Sequence, residues 1–396
     1  MILLREWGIL RQNGRMTLPL FLDCDPGIDD AIALGYLLCQ DDVDIAGIAA
    51  SGGNVATAQV VANTLGWLEL AGRSDIPVHA GHTLPLARHG GDARATAAQE
   101  VAGDECAAES ANPETPSAGE AGIEYADLTH GQTGAGYATL PTATTDVSDV
   151  SAAQAWVDAA RAHPGRLIGV VIGPSTNLAL ALAIEPRLPH LLRRLFIMGG
   201  AFNYRGNTHP TTEWNVTFDP EALATVLAAF DRARQENPDL ALPVVAPIEA
   251  TEAVAMTPER LAGILDTDTD ADPIWQAWLE QMSEALRFYF EFHDWDGLGY
   301  LAHIHDPFVL ACALAWARTP DQQADNLPWA TTATAPVDVE LTGTLTRGET
   351  VADWLRRWGR DPNVEIIRTI DADAFLDHLG ATLKEGPHHD RPQPNT

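Results

Sequence analysis

Residues 18–38 pass from an apolar run through four aspartates into a helical pattern, and few folds accommodate that sequence of events. Leu18 to Leu22 reads as a buried strand, and Ala31, Ile32, Leu34, Leu37 and Leu38 repeat with helical spacing. Between them lies Asp23-Cys24-Asp25-Pro26-Gly27-Ile28-Asp29-Asp30. Carboxylates this close repel, and burying them is costly unless a cation lies among them. A strand end opening onto a helix is also where open α/β sheets place ligands. The stretch therefore predicts a hard-cation site with oxygen ligands, Ca²⁺ or Mg²⁺. One aspartate here could be a helix cap; four are not explained that way.

The chain has 396 residues, 46% of them hydrophobic, which is ample for a packed α/β core. No apolar run approaches the ~20 residues of a membrane span. Met1-Ile2-Leu3-Leu4 is broken at once by Arg5 and Glu6, so a secretory leader is not expected. Cys24, Cys39, Cys106 and Cys312 are scattered without a paired motif, which suggests a reducing cytoplasm. A formal net charge of -31, with Lys384 the only lysine, argues against nucleic acid as a partner.

Residues 1–16 carry no pattern and read as an N-terminal extension. The first strand and helix are followed by an apolar run from Asp44 to Ala50, the turn Ser51-Gly52-Gly53-Asn54, and another amphipathic segment. This βαβα opening implies a mostly parallel sheet flanked by helices. Residues 88–124, rich in Ala, Gly, Glu, Ser and Pro, read as an insertion. Helices are expected at 152–162, after the turn Gly173 to Asn177 as far as about Ile184, from Pro220, at 258–265, 274–292 and 308–317 (the last capped by Asp306), and from Ala372. Strands are expected at 76–78, 166–172, 195–198, 242–246, 337–341 and 365–370. One domain thus spans 17–384, and 385–396 form a tail.

The segment Asp23-Cys-Asp-Pro-Gly-Ile-Asp-Asp-Ala31 resembles the signature of the calcium-dependent, inosine–uridine-preferring nucleoside hydrolases. The likeness continues in order through Gly53-Asn54, Gly173-Pro174-Ser175-Thr176-Asn177, Met198-Gly199-Gly200, Glu213-Trp214-Asn215, Asp219-Pro220-Glu221 and His305-Asp306-Pro307. It covers residues 17–383 apart from the insertion, with Val337 to Gly343 and Gly348 to Asp353 matching the C-terminal part. The resemblance implies a single Rossmann-like domain that cleaves the N-glycosidic bond of ribonucleosides. Carried over by position, Asp25, Asp30 and Asp306 supply carboxylates to Ca²⁺, and Ile172 its backbone carbonyl. Asp29, Asn54, Asn207, Glu213 and Asn215, with Asp306, hold the ribose and the attacking water, and Met198 lines the ribose pocket. His130, Tyr289 and His293 fall near the base. Relatives form homodimers or homotetramers, so the same is expected here.

That chemistry passes through a sugar cation resembling an oxocarbenium ion. It needs an activated water, for which Asp25 beside the ion is the expected base. It also needs a negative pocket, and help for the departing base. His305 is the expected acid, because it adjoins Asp306 and histidine titrates nearest neutrality. A helix-capping or packing histidine is the plainer alternative. Tyr289 and His293, at i and i+4, share a helix face. Trp214 stands where relatives usually carry Phe, and Glu252 follows Thr251 where some carry His. The histidines and Tyr289 lean toward a pyrimidine or mixed base preference. Two other readings compete. A haloacid-dehalogenase-like phosphatase needs a Thr or Val where Gly27 stands, and a core lysine. A nucleoside- or Ca²⁺-binding protein with a decayed site is disfavoured because every proposed position carries a competent residue.

Overall fold

In the computed structural model of the chain, residues 11–12, 15–86, 123–266, 272–319 and 327–387 are described. The expected insertion therefore lies largely outside the described residues, as does most of the tail. Eight strands form the central sheet: β1 (Leu18–Cys24), β2 (Val43–Ala50), β3 (Val78–Ala80), β4 (Leu167–Val171), β5 (Leu192–Met198), β6 (Val244–Ala246), β7 (Ala330–Ala335) and β8 (Val364–Ile370). Their order is β7-β8-β6-β5-β4-β1-β2-β3. Every neighbouring pair is parallel except β7–β8.

The order follows from chain travel. From β1 the chain moves outward through β2 to β3, then returns across the sheet to β4 and continues to β5 and β6. The reversal leaves a crevice between the carboxyl ends of β1 and β4, the point where such sheets bind ligands. Asp23 is the next-to-last residue of β1 and Asp25 lies just past its end, and Ile172-Gly173 follow β4 directly. The Ile172 N–H donates to the Asp23 carbonyl at 2.8 Å, so the two strand ends are pinned together.

Helices cover both faces, and this is why strands such as Leu-Pro-Leu-Phe-Leu in β1 are apolar without alternation. One face carries α1 (Ile28–Leu38), α2 (Thr57–Leu70), α6 (Pro273–Trp295), α7 (Asp306–Arg318) and α8 (Ala372–Glu385), packed through Trp67, Trp275, Trp278, Phe308 and Phe375. The other carries α3 (Ala152–Ala162), α4 (Thr176–Ile184) and α5 (Pro220–Glu236), packed through Trp156, Leu180 and Phe230. All of α1 is buried, its two aspartates included. Starts are set by short polar caps: Ser151 accepts from the Gln154 N–H, and Asp219 from the Ala222 N–H ahead of Pro220. None of the helices among the described residues is long and apolar enough to cross a membrane.

Two expectations differ in kind, and one strand is unexpected. Asp306 does not cap a later helix; it is the first residue of α7, with His305 at the cap position and no side-chain cap bond there. Its carboxylate turns toward Asp29 and Asp30 instead of toward its own helix amides. The strand expected at 337–341 is Val337–Val339, paired with Thr350–Ala352 in a separate ribbon. The edge strand β7, Ala-Thr-Thr-Ala-Thr-Ala, has no large apolar side chain to announce it, and its partner β8 decides its conformation.

Candidate active site

Above the β1–β4 crevice opens a cavity of about 750 Å³. Its wall includes Asp29, Asn54, His130, Ile172, Met198, Asn207, Glu213, Asn215, Tyr289, His293, His305 and Asp306, residues contributed by nearly the full length of the chain. Of the residues expected at the site from sequence, Asp25 and Asp30 alone are not on the wall; they lie directly beneath it, both 1% exposed.

The floor is acidic. One carboxylate oxygen from each of Asp29, Asp30 and Asp306 lies within 4.8 Å of the others, and all three residues are buried. Asp30 caps its own helix, taking the Gly27 N–H at 3.0 Å, and takes the Asp25 N–H at 3.1 Å. The Asp29 carboxylate accepts the His305 N–H at 3.0 Å, which ties α1 to the start of α7 across the sequence. Asp25 accepts the Asn54 N–H at 2.8 Å through Oδ2, whereas its buried Oδ1 has no partner.

Glycines make room for Asp25. A Cβ on Gly173 would come within 2.6 Å of Oδ1, and one on Gly53 would collide with Oδ2. Beneath, Asp23 accepts bonds from Ser51 Oγ (2.7 Å), Trp156 Nε1 (2.8 Å) and Asn177 Nδ2 (3.1 Å). This network joins the ends of β1 and β2 to α3 and α4. Sequence reading missed it, since nothing in the spacing of Asp23 and Trp156 marks them as partners.

The electrostatics match the geometry. Burial, then the nearby Asp30, pushes Asp25 well above the ordinary carboxylate range. Burial, then Asp29, raises Asp30 to about 7. Burial, with Asp29, Asp30 and Asp25 beside it, pushes Asp306 well above the ordinary carboxylate range. Neutral donors do not offset this much negative charge; a divalent cation would. The donor set fits one: three carboxylates, the unpartnered Asp25 Oδ1, and the Ile172 carbonyl, which takes Asn215 Nδ2 at 2.9 Å with one lone pair and has a second to give. Asp29, expected on the ribose, thus stands within the carboxylate cluster.

One wall is polar and fixed by backbone. Glu213 accepts the N–H groups of Gly200, Asn215 and Val216 at 2.9, 2.8 and 3.2 Å, and burial raises it to about 7. Asn207 takes the Trp214 N–H at 3.0 Å, which folds the largely exposed 204–211 loop over the cavity. The opposite wall is aromatic: His130 and Tyr289 rings lie 5.3 Å apart, and Tyr289 and His293 4.5 Å apart. Burial lowers His130 to about 4 and His305 to about 3, so both rings are neutral near pH 7. His130 Nδ1 accepts the Ile28 N–H at 3.1 Å, which leaves its hydrogen on Nε2. Sequence reading also passed over His303, whose ring centre lies 6.5 Å from that of His305. The available signal was the His-Ile-His alternation, which puts both rings on one face of an extended segment.

The sequence model of the family described as inosine-uridine preferring nucleoside hydrolase matches residues 20–377. The chain belongs to that family. As a nucleoside hydrolase it is an enzyme that splits ribonucleosides into ribose and a free base. It is 30% identical over 370 residues to the pyrimidine-specific ribonucleoside hydrolase RihA of Shigella flexneri, covering 93% of this chain and 99% of that protein. RihA of Citrobacter koseri is equally similar, at 30% over 370 residues. Among solved structures, the plant nucleoside hydrolase PpNRh1 aligns with a TM-score of 0.72 at 26% identity, covering 93% of this chain and 99% of its own. The purine-preferring ribonucleoside hydrolase of Gardnerella vaginalis has the same fold, with a TM-score of 0.70 at 23% identity. The α/β architecture expected from the opening motif is therefore that of the nucleoside hydrolases.

Proposed function

We propose that this nucleoside hydrolase is Ca²⁺-dependent and acts on pyrimidine or mixed ribonucleosides, with Asp25 as the base that activates water. The observation carrying this is Asp25 Oδ1, buried and without a partner beside a cluster of three carboxylates. Asp25, Asp30 and Asp306 would hold the ion with the Ile172 carbonyl, and Asp29 joins them at the same floor. When bound, Ca²⁺ offsets the clustered negative charge and makes a water in the site easier to deprotonate.

Asp25 Oδ1 takes the proton of the attacking water as its oxygen bonds the anomeric carbon. The bond to the base breaks, and its electron pair leaves with the base nitrogen. Glu213, Asn215, Asn54 and Asn207 orient the ribose, Met198 packs beneath it, and the carboxylates favour positive charge developing on the sugar. His130, with its hydrogen on Nε2, donates to the departing base, and Tyr289 and His293 line the base side. His305 is the acid of this reading. Its Nδ1 lies 2.8 Å from Thr251 Oγ1, whose own hydrogen goes to the Pro247 carbonyl, so the neutral ring has no hydrogen on Nε2. Protonation there must overcome burial.

The pyrimidine leaning rests on these aromatic and imidazole side chains and on the similarity to RihA. The exposed side chains of Leu128 and Trp295, beside the cavity mouth, suit contact between copies in a homodimer or homotetramer, which sedimentation measures. The free cysteines Cys24, Cys39 and Cys312 suit the cytoplasm. We read the catalytic unit as residues 17–384, with 1–16 an N-terminal extension and 385–396 a tail. The deciding experiment is ribose release from uridine, cytidine and inosine before and after chelation. Activity lost with chelator and restored by Ca²⁺ is expected; turnover indifferent to chelator would refute the metal reading.

A further inference from the structure

The 204–211 loop forms part of the polar wall, and Arg205, Gly206, Asn207 and Thr208 on it line the cavity. It opens at Asn203, whose backbone is left-handed at φ 59°, a conformation asparagine tolerates. The tip is folded on itself. The Gly206 N–H donates to the Pro210 carbonyl at 3.1 Å, and a Cβ on Gly206 would collide with the His209 and Thr212 backbone. Asn207 Oδ1 is taken up by the Trp214 N–H, which leaves the Asn207 amide hydrogens for the ribose.

Among the described residues, every hydrogen bond and ion pair from 204–211 to a residue outside 204–217 ends on one side chain, Glu252. The Tyr204 hydroxyl donates to Glu252 Oε2 at 2.8 Å, and Arg205 Nη2 lies 2.9 Å from Glu252 Oε1. The Arg205 guanidinium is 5.3 Å from the centre of the Tyr204 ring, so the three side chains close on one another. Glu252 directly follows the short helical turn Ile248–Thr251, beyond the end of β6. The same turn holds two other parts of the site. Glu249 takes the Phe202 N–H at the root of the loop at 3.3 Å, and Thr251 Oγ1 is 2.8 Å from His305 Nδ1.

We infer that Glu252 is a positioning residue: by gripping Tyr204 and Arg205 it holds the 204–211 loop closed over the cavity and keeps Asn207 in place for the ribose. The inference rests on the reading of Asn207 as a ribose contact. A single bond would leave the loop free to pivot. Two oxygens of one carboxylate, each holding one of two adjacent residues, fix its direction as well as its distance. A hydrogen bond to a charged group is strong, whereas a half-exposed ion pair adds little, so Tyr204 carries the larger share. Without this latch the loop samples open states in which Asn207 stands away from the ribose. Apparent affinity then falls with the closed fraction, while chemistry in the closed complex is unchanged.

The test is kcat and KM for uridine or inosine, whichever turns over faster, on the full chain with Ca²⁺. Alongside it, trypsin cleavage after Arg205 is followed by mass spectrometry without substrate. Glu252→Ala should raise KM by about three- to tenfold with kcat within about twofold of wild type. Cleavage of the Arg205–Gly206 bond should speed up by about the same factor. Tyr204→Phe should give most of the rise in KM, and adding it to Glu252→Ala should change nothing further, because both break one contact. In an Asn207→Ala background, Glu252→Ala should leave KM unmoved. A fall in kcat at constant KM, additive losses, or unchanged cleavage after Arg205 overturns the latch. If Glu252→Ala does not fold, Tyr204→Phe decides alone, since its side chain is exposed: wild-type KM and wild-type cleavage overturn the latch. Failure of the parent reading looks different. Asn207→Ala then keeps the KM of the wild type while cleavage still rises in Glu252→Ala, which overturns the ribose assignment and not the hold on the loop.

Discussion

Asp306→Asn should make the ion-free protein more stable and the enzyme inactive. The three carboxylates of Asp29, Asp30 and Asp306 have oxygens within 4.8 Å. At that separation two unit charges repel by about 3.5 kcal/mol for an effective dielectric constant of 20. Asp306 takes part in two such pairs, so with all three groups ionised it contributes at least about 7 kcal/mol of repulsion at this dielectric constant. Proton uptake lowers this, because Asp30 and Asp306 are both raised and share a hydrogen bond. The side chain is also isosteric with Asn, so packing in α7 is unchanged. A gain of about 1–2 kcal/mol in chelator is expected, roughly 1–2.5 °C in Tm for a chain of this size. Ca²⁺ should act in the opposite sense on the two proteins. At a hundred times its Kd an ion stabilises the wild type by about 2.7 kcal/mol. The variant, with a ligand removed, should show little shift. Thermal melts of both proteins in chelator and in a Ca²⁺ series measure this. A variant that melts lower than wild type in chelator, or that gains as much from Ca²⁺, would refute the assignment of this cluster as a cation site.

Other outcomes follow from the same floor and its supports. Asp25→Asn should keep the fold and lose about 10²–10⁴-fold in kcat, the worth of a general base; near-native kcat would remove Asp25 from that role. His305→Ala should slow natural nucleosides more than a nitrophenyl riboside, whose leaving group needs no proton; equal losses would argue against an acid. Asp23 and Asp219 are raised to about 6 from 3.8, chiefly by burial. The folded state therefore holds more protons than the unfolded one between those values, and their contribution to stability falls as pH rises through that window. Asp219→Asn should flatten part of that slope in denaturant melts at pH 4 to 7; an unchanged slope would contradict the assignment.

Much of the fold was legible because the sequence repeats one physical motif. Apolar runs of five to eight residues, each followed by a polar turn and an apolar-periodic segment, specify buried parallel strands and their covering helices. The helix at Ala152–Ala162 could be placed to the residue because Ser151 caps it and its apolar face is regular. The β7 strand could not, because Ala and Thr say nothing about which edge they pair with. The candidate site divides in the same way. The aspartate cluster announces itself locally, since four carboxylates within eight residues of one turn need a shared explanation. Which of them face one another is not a local property.

What the chain alone determined was the chemistry available: clustered carboxylates at a strand end, the amide-rich loops, and a family signature in order from residue 23 to 353. Only the tertiary structure decided which groups meet. It brought Asp306 to Asp29 and Asp30, set Asp25 on the β1–β4 crevice between two glycines, and packed the His293 and His303 rings edge to face. The reason is that a sequence records covalent neighbours. Repulsion, burial and hydrogen-bond direction act between groups that the sheet order makes adjacent, and that order is settled by the packing of the whole domain.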